Sequence, residues 1–244
     1  MRSKQYTDMN ICPCTVTLKG GLHMILYTVK DGNFYNLFDF KKDLSDLKEN
    51  GFRNQIYINF TNRCTNRCTF CLRPTKKMDE HNSLWLSKEP ESEEIIDLLK
   101  NFDIQNAKEI VCCGFGEPSL RIDTVLEVAS YIKEIAPHIP VRINTNGQGE
   151  LAYGKEFLPR FQGLINVVSI SLNASTKEEY QRICLSKYGE AAFDELLRFA
   201  VEAKKYVDKV VLSVVDNISK EEIEACRKIC EDRGLTYRIR PFEE

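Results

Sequence analysis

The chain has 244 residues, 43% of them hydrophobic, and a formal net charge of −2. That length supports one sizeable α/β domain with its own core, and the near-neutral charge excludes a global pull toward nucleic acid or anionic membrane. Ten irregularly spaced cysteines are no framework of a small secreted domain, so a reducing cytoplasm is expected.

Neither a secretory h-region nor a run of about 18 apolar residues is present, so the sequence predicts neither export nor membrane spanning. Residues 1–23 are polar and unpatterned, with Cys12 and Cys14 lacking other ligands nearby. Lys19-Gly20-Gly21 can be encoded as a ribosome-binding sequence just ahead of Met24. Met24 is therefore expected as the start, with 1–23 a leader or a disordered tail. Residues 24–54 read as an accessory unit: a hairpin from Ile25 to Phe40 turned at Asp31-Gly32-Asn33, then a short helix over Lys41 to Gly51.

From 55 to 244 the pattern is strand then helix, repeated. Strands are predicted at Ile56 to Phe60, Glu109 to Cys113, Val141 to Thr145, Asn166 to Leu172, Lys209 to Val215 and Thr236 to Arg240. Helices are predicted at Ser92 to Asn101, Ile122 to Ile135, Gly154 to Phe161, Thr176 to Cys184, Ala191 to Tyr206 and Lys220 to Arg233. Such alternation implies a parallel sheet with right-handed crossovers, here an incomplete (β/α)6 barrel. Sites in such barrels gather at the carboxyl ends of the strands.

There the first core strand is followed by Cys64, Cys68 and Cys71, spaced C-x3-C-x2-C. Three soft thiolates so close together suit an iron–sulfur cluster or zinc, with His81 the candidate fourth ligand for zinc. Gly114-Phe115-Gly116-Glu117-Pro118 follows the second strand, where glycine lets the backbone approach a ligand. Asn144-Thr145-Asn146-Gly147 ends the third strand, and strand alternation puts Ser169, Ser171 and Asn173 on one face at the end of the fourth. Cys226 and Cys230, at i and i+4 on a helix, read as buried packing. Arg73 to Lys77 reads as a solvated loop, so nucleic acid is not an expected partner.

The cysteine motif, with Phe70 before its third Cys, and the Gly-Phe-Gly-Glu-Pro segment together resemble the radical S-adenosylmethionine (SAM) superfamily, from about Gln55 to Pro241. The resemblance implies a [4Fe-4S] cluster on Cys64, Cys68 and Cys71 and a fourth iron that chelates SAM. It further implies cleavage to a 5′-deoxyadenosyl radical that abstracts a substrate hydrogen, and a reductant such as flavodoxin or ferredoxin. SAM contacts implied in the same way are Phe70, Gly114, Phe115, Gly116, Glu117, Asn144, Asn146, Ser169, Ser171, Asn173 and Arg182. Glu117 is expected to accept from the methionine ammonium, and Arg182 is weighed against a solvated surface arginine.

Residues 61–71, Leu84-Trp85-Leu86 before Glu89-Pro90, residues 113–118, Ser171 to Ala174 and Gly189 to Phe193 look like the TatD-associated radical SAM group. That implies a TatD-type nuclease as a neighbour. A large substrate fits the lateral opening of an incomplete barrel. Two alternative enzymes share every residue named: a glycyl-radical activase and a small-molecule radical SAM synthase. From another class comes a zinc-stabilised binding module acting beside the nuclease.

Overall fold

The structure, a computed structural model, describes residues 24–79 and 81–242. The expected leader, with Cys12, Cys14 and His23, lies outside the described residues. Strands β1 (Leu26–Lys30) and β2 (Asn33–Asn36) form the predicted hairpin, turned by Asp31 (φ 49°) and Gly32 (φ 76°). Two successive positive φ angles give the turn whose twist matches paired strands, and Asp-Gly tolerates both. β1 then pairs antiparallel with β3 (Gln55–Ile58), so the accessory hairpin extends the main sheet.

From β3 the strands β4 (Glu109–Cys112), β5 (Val141–Thr145), β6 (Val167–Ser171), β7 (Lys209–Val215) and β8 (Thr236–Arg240) pair in parallel and in chain order. The outer strands β2 and β8 do not pair with each other. Six sequential parallel strands that fail to close are the incomplete (β/α)6 barrel the alternation predicts.

Eight α-helices are described: α1 (Ser45–Glu49), α2 (Leu72–Thr75), α3 (Ser92–Leu99), α4 (Ile122–Ile135), α5 (Gly149–Tyr153), α6 (Lys177–Cys184), α7 (Ala191–Ala203) and α8 (Lys220–Glu231). Sequence caps explain their starts. Thr176 accepts from the Glu179 N–H and Ser219 from the Glu222 N–H, while Glu91 and Glu94 form a reciprocal box. Ile56, Ile110, Ile143, Ile170 and Leu212 bury against Val125, Ile132, Leu196 and Phe199 in one core. Alternation leaves Tyr57, Arg142, Asn144, Ser169, Ser171 and Ser213 on the opposite, concave face.

Two predicted helices need correction. The one expected over Lys41 to Gly51 shrinks to α1, because the Asp46 carboxylate accepts the Lys41 N–H at 3.1 Å and folds the preceding residues back on the helix start. The one expected over Gly154 to Phe161 lies earlier, as α5, since Gly154 (φ 83°) ends a helix rather than starting it. Leu158–Phe161 is a separate 3-10 turn with Pro159 near its start. Among the described residues no helix is long and apolar enough to cross a membrane.

Candidate active site

Residues 59–71 carry the chain from the carboxyl end of β3 to α2, and all three motif cysteines along them are partly exposed. The Asn66 N–H donates to Cys64 Sγ at 3.4 Å and Arg73 Nε to Cys71 Sγ at 3.3 Å. Such bonds favour a sulfur carrying negative charge. The Arg67 and Thr69 N–H groups donate to the carbonyls of Cys184 (3.0 Å) and Ile183 (2.8 Å), docking the loop on the open carbonyls that end α6. Cys68 is held between those two bonds, and the neighbouring Cys184 thiol together with burial pushes its pKa up. Burial also pushes the Cys64 thiol up to about 12, with the Glu117 charge adding to it. Protons therefore sit on these sulfurs until a metal displaces them.

The thiol donor set suits an iron–sulfur cluster or zinc. Ligands of one tetrahedral zinc stand about 4 Å apart, and among the described residues no three His, Cys, Asp or Glu side chains gather that way. His81, the fourth ligand of the zinc reading, is instead committed to Asp39 at 2.9 and 3.0 Å.

The glycines of Gly114-Phe115-Gly116 serve the backbone. A Cβ on Gly114 would stand 2.1 Å from Asn59 Oδ1, and one on Gly116 would stand 2.2 Å from the Thr61 carbonyl and 2.6 Å from that of Arg63. The β4 turn thus lies directly against the start of the cysteine loop, and the Glu117 N–H seals it by donating to the Arg63 carbonyl at 2.7 Å. Gly116→Ala is expected to destabilise the protein by about 2 kcal/mol or more, since backbone cannot yield as a side chain can. Thermal unfolding checks this, and an unchanged midpoint would contradict the packing described. Glu89 braces the same place: it takes both Arg63 Nε and Nη2 at 2.7 Å, Arg121 at 3.1 Å and the Thr61 hydroxyl. Burial pushes its carboxyl up, but the Arg63, Thr61 and Arg121 donors outweigh this and hold it below the usual range.

The Glu117 carboxylate, expected to accept from a ligand ammonium, meets three donors within the chain. Oε1 accepts from the Thr145 hydroxyl (2.7 Å) and the Ser119 N–H (3.1 Å), and Oε2 from the Asn146 N–H (2.7 Å). It is 4% exposed, and burial raises its pKa against the pull of those donors. Asn146 is likewise used: its Nδ2 donates to Thr65 Oγ1 at 2.7 Å and its Oδ1 accepts the Gln148 N–H at 3.1 Å.

These bonds open onto a buried network that sequence reasoning missed. The Thr65 hydroxyl donates to Gln148 Oε1 (2.9 Å), as does that of Ser186 (3.1 Å). Gln148 Nε2 donates to Asn66 Oδ1 (2.9 Å) and to the Tyr180 hydroxyl (3.0 Å), which also accepts from Asn66 Nδ2 (3.1 Å). Thr65 and Asn66, the residues just after Cys64, are thereby tied to the β5–α5 turn, to α6 and to the α6–α7 turn.

The remaining expected contacts divide. Asn144 and Ser169 sit side by side in register on β5 and β6, and Ser171 pairs with Ser213 on β7. Asn173 holds a left-handed backbone (φ 60°) with its Nδ2 3.7 Å from Cys184 Sγ. The side-chain oxygens of Asn144 and Asn173 are buried and have no hydrogen-bond partner among the described residues. Phe70 packs on the main core, whereas Phe115 lies in an aromatic wall with Phe34 and Trp85. Arg182 is the surface arginine: its side chain is 70% exposed and forks onto Glu179 at 2.7 and 2.5 Å.

A sequence-family model described as the radical SAM superfamily matches residues 58–230. A Methanocaldococcus jannaschii protein named as a candidate glycyl-radical enzyme activating enzyme is 27% identical over 188 residues, covering 74% of this chain and 70% of that one. A GTP 3′,8-cyclase of Aquifex aeolicus is 25% identical over 187 residues, 75% of this chain and 55% of the cyclase. Among solved structures, Streptococcus suis SuiB bound to S-adenosylmethionine superposes with a TM-score of 0.59 at 17% identity, over 83% of this chain and 44% of SuiB. The chain thus spans little more than half of the cyclase and less than half of SuiB.

Proposed function

The chain belongs to the radical SAM superfamily, whose members are enzymes using a [4Fe-4S] cluster and SAM, and from that membership we propose that Cys64, Cys68 and Cys71 hold three irons of the cluster. When bound, cluster and SAM supply one-electron cleavage of the sulfonium and abstraction of a substrate hydrogen atom. The observation that carries the reading is the cysteine loop itself, three thiols following the carboxyl end of the first parallel strand; Asn144 on β5 and Asn173 just after β6 add buried, unpartnered oxygens.

The residues divide the work. Asn66 N–H and Arg73 stabilise ligating sulfurs. Asn144, Ser169, Ser171 and Asn173 offer acceptors and hydroxyls for the ammonium, ribose and base of SAM. Glu117 and Asn146 act one step back, Glu117 joining the β4 and β5 turns and Asn146 tying the β5 turn to Thr65. Phe34, Trp85 and Phe115 keep water from one side of the chamber.

The unpaired β8 edge supports a large substrate entering from the side. The segments named above support the TatD-associated group with its nuclease neighbour, and eight free cysteines among the described residues support a reducing cytoplasm. Flavodoxin or ferredoxin would supply the electron. Glycyl-radical activation is the second reading, resting on the Methanocaldococcus relative.

Anaerobic reconstitution with iron and sulfide, followed by reduction with SAM, tests the reading. Expected are about four irons per chain and release of 5′-deoxyadenosine. A colourless, zinc-loaded protein releasing none would overturn it.

A further inference from the structure

Resting on the assignment of Cys68 to iron, a fourth thiol beside the cysteine loop acquires a role. Cys184 is the last residue of α6 and is fully buried. Its carbonyl takes the Arg67 N–H (3.0 Å), and that of Ile183 takes the Thr69 N–H (2.8 Å). The two bonds bracket Cys68 and fix it against the end of α6, so the Cys184 thiol neighbours the Cys68 sulfur. Tyr180, one turn back on the same helix, feels both sulfurs.

On its other side Cys184 meets Asn173. The left-handed backbone there (φ 60°) brings Asn173 Nδ2 to 3.7 Å from Cys184 Sγ. An amide Nδ2 carries donors alone, so the Cys184 sulfur is the acceptor in that contact and its S–H is left to give. Asn173 is itself 3% exposed, and no water reaches the pair to compete. Once iron takes the proton of Cys68, that sulfur is negatively charged and can only accept. The Cys184 S–H, backed by the Asn173 amide, is then the neighbouring donor. A hydrogen bond to a ligating sulfur favours the more negative, reduced state and so raises the reduction potential.

We propose that Cys184 is a positioning residue for the cluster: its thiol donates to the Cys68 thiolate and, supported by Asn173, raises the potential at which the electron for SAM cleavage is accepted.

Redox titration of the anaerobically reconstituted full chain, without SAM, tests this through the visible absorbance and the electron-spin signal of the reduced cluster. Cys184→Ala and Cys184→Val both remove the donor, one leaving a void and the other filling it. Each is expected to keep about four irons per chain. Each should also hold about three- to tenfold fewer reduced clusters at a fixed potential, tenfold being a midpoint about 59 mV lower. Cys184→Ser keeps a donor and should stay near the wild-type potential. Asn173→Gly tolerates the left-handed backbone. It should lower the potential in the wild-type background and add nothing to Cys184→Val, as expected of two groups acting in one chain of bonds. A cysteine used for packing alone would move the thermal midpoint and leave the potential where it was. An unchanged or raised potential in the folded donor-less variants would overturn the proposal, as would full additivity of Asn173→Gly with Cys184→Val. Thermal unfolding verifies that each variant is folded, and where Cys184→Ala or Cys184→Val is not, the other carries the test. A wild-type chain that takes up no cluster would overturn the ligand assignment of Cys68 and this role with it. A cluster that forms but whose potential ignores Cys184 would overturn this role alone.

Discussion

Cys68→Ala is expected to lose the cluster and, with it, SAM cleavage: iron falling from about four per chain to below about one, and 5′-deoxyadenosine release falling at least 100-fold. Two features make Cys68 the most informative of the three proposed ligands. It is pinned between the Arg67 and Thr69 N–H bonds to the end of α6, so neither neighbouring cysteine can slide into its place. Its thiol also lies beside that of Cys184, and any bond its own proton makes there is given up for iron. One such contact is worth under about 1 kcal/mol, far less than a metal–thiolate bond. Cys64→Ala and Cys71→Ala are expected to behave alike. The control is Cys226→Ala or Cys230→Ala, both fully buried on the inner face of α8 in the main core. Each should lose about 1 kcal/mol of stability and no iron. Iron content and the visible absorbance of the cluster read the difference; a retained cluster in Cys68→Ala would refute the ligand assignment.

Much of this was legible in the residues, and the rest was hidden for physical reasons. β5, β7, β8 and α4 fall where periodicity and flanking Gly and Pro put them. Their signals are local, a run of alternating or 3.6-periodic apolar residues being readable without its partners. The cysteine loop was legible because its three thiols are close in sequence. The intrachain donors of Glu117 were not legible in the sequence. A carboxylate after a glycine pair reads as a ligand-facing group, while its donors, Thr145 and Asn146, lie 28 and 29 residues away. Gln148 and Tyr180 were missed for the same reason, their partners being 82 and 114 residues off along the chain for Asn66 alone. Arg182 had only a position on a helix behind it, and the nearest carboxylate, one turn back at Glu179, claimed it.

Gln148→Leu is the second large effect. Leucine fills a similar volume but offers neither donor nor acceptor, so the Thr65 and Ser186 hydroxyls lose their acceptor and Asn66 Oδ1 loses its donor. All of these groups are buried, Gln148 itself 2% exposed, so water cannot replace what is lost. A buried group left unsatisfied costs about 1–3 kcal/mol, and a partly satisfied network is worse than none. Allowing for relaxation, about 3 kcal/mol is expected, a drop of about 10 °C in a domain of this size. Tyr180→Phe removes one hydroxyl and leaves Thr65, Ser186 and the Gln148–Asn66 bond in place, so it should lose about 1 kcal/mol. The two variants also separate function from stability. Asn66 supplies the N–H that meets Cys64 Sγ, so loosening its side chain in Gln148→Leu should slow cluster assembly at temperatures where the protein is still folded. Thermal unfolding and the rate of iron uptake, measured together, check both parts. An unchanged midpoint in Gln148→Leu would mean the network bears no load, and unchanged uptake in a destabilised variant would mean the cysteine loop is positioned by Glu89 and α6 alone.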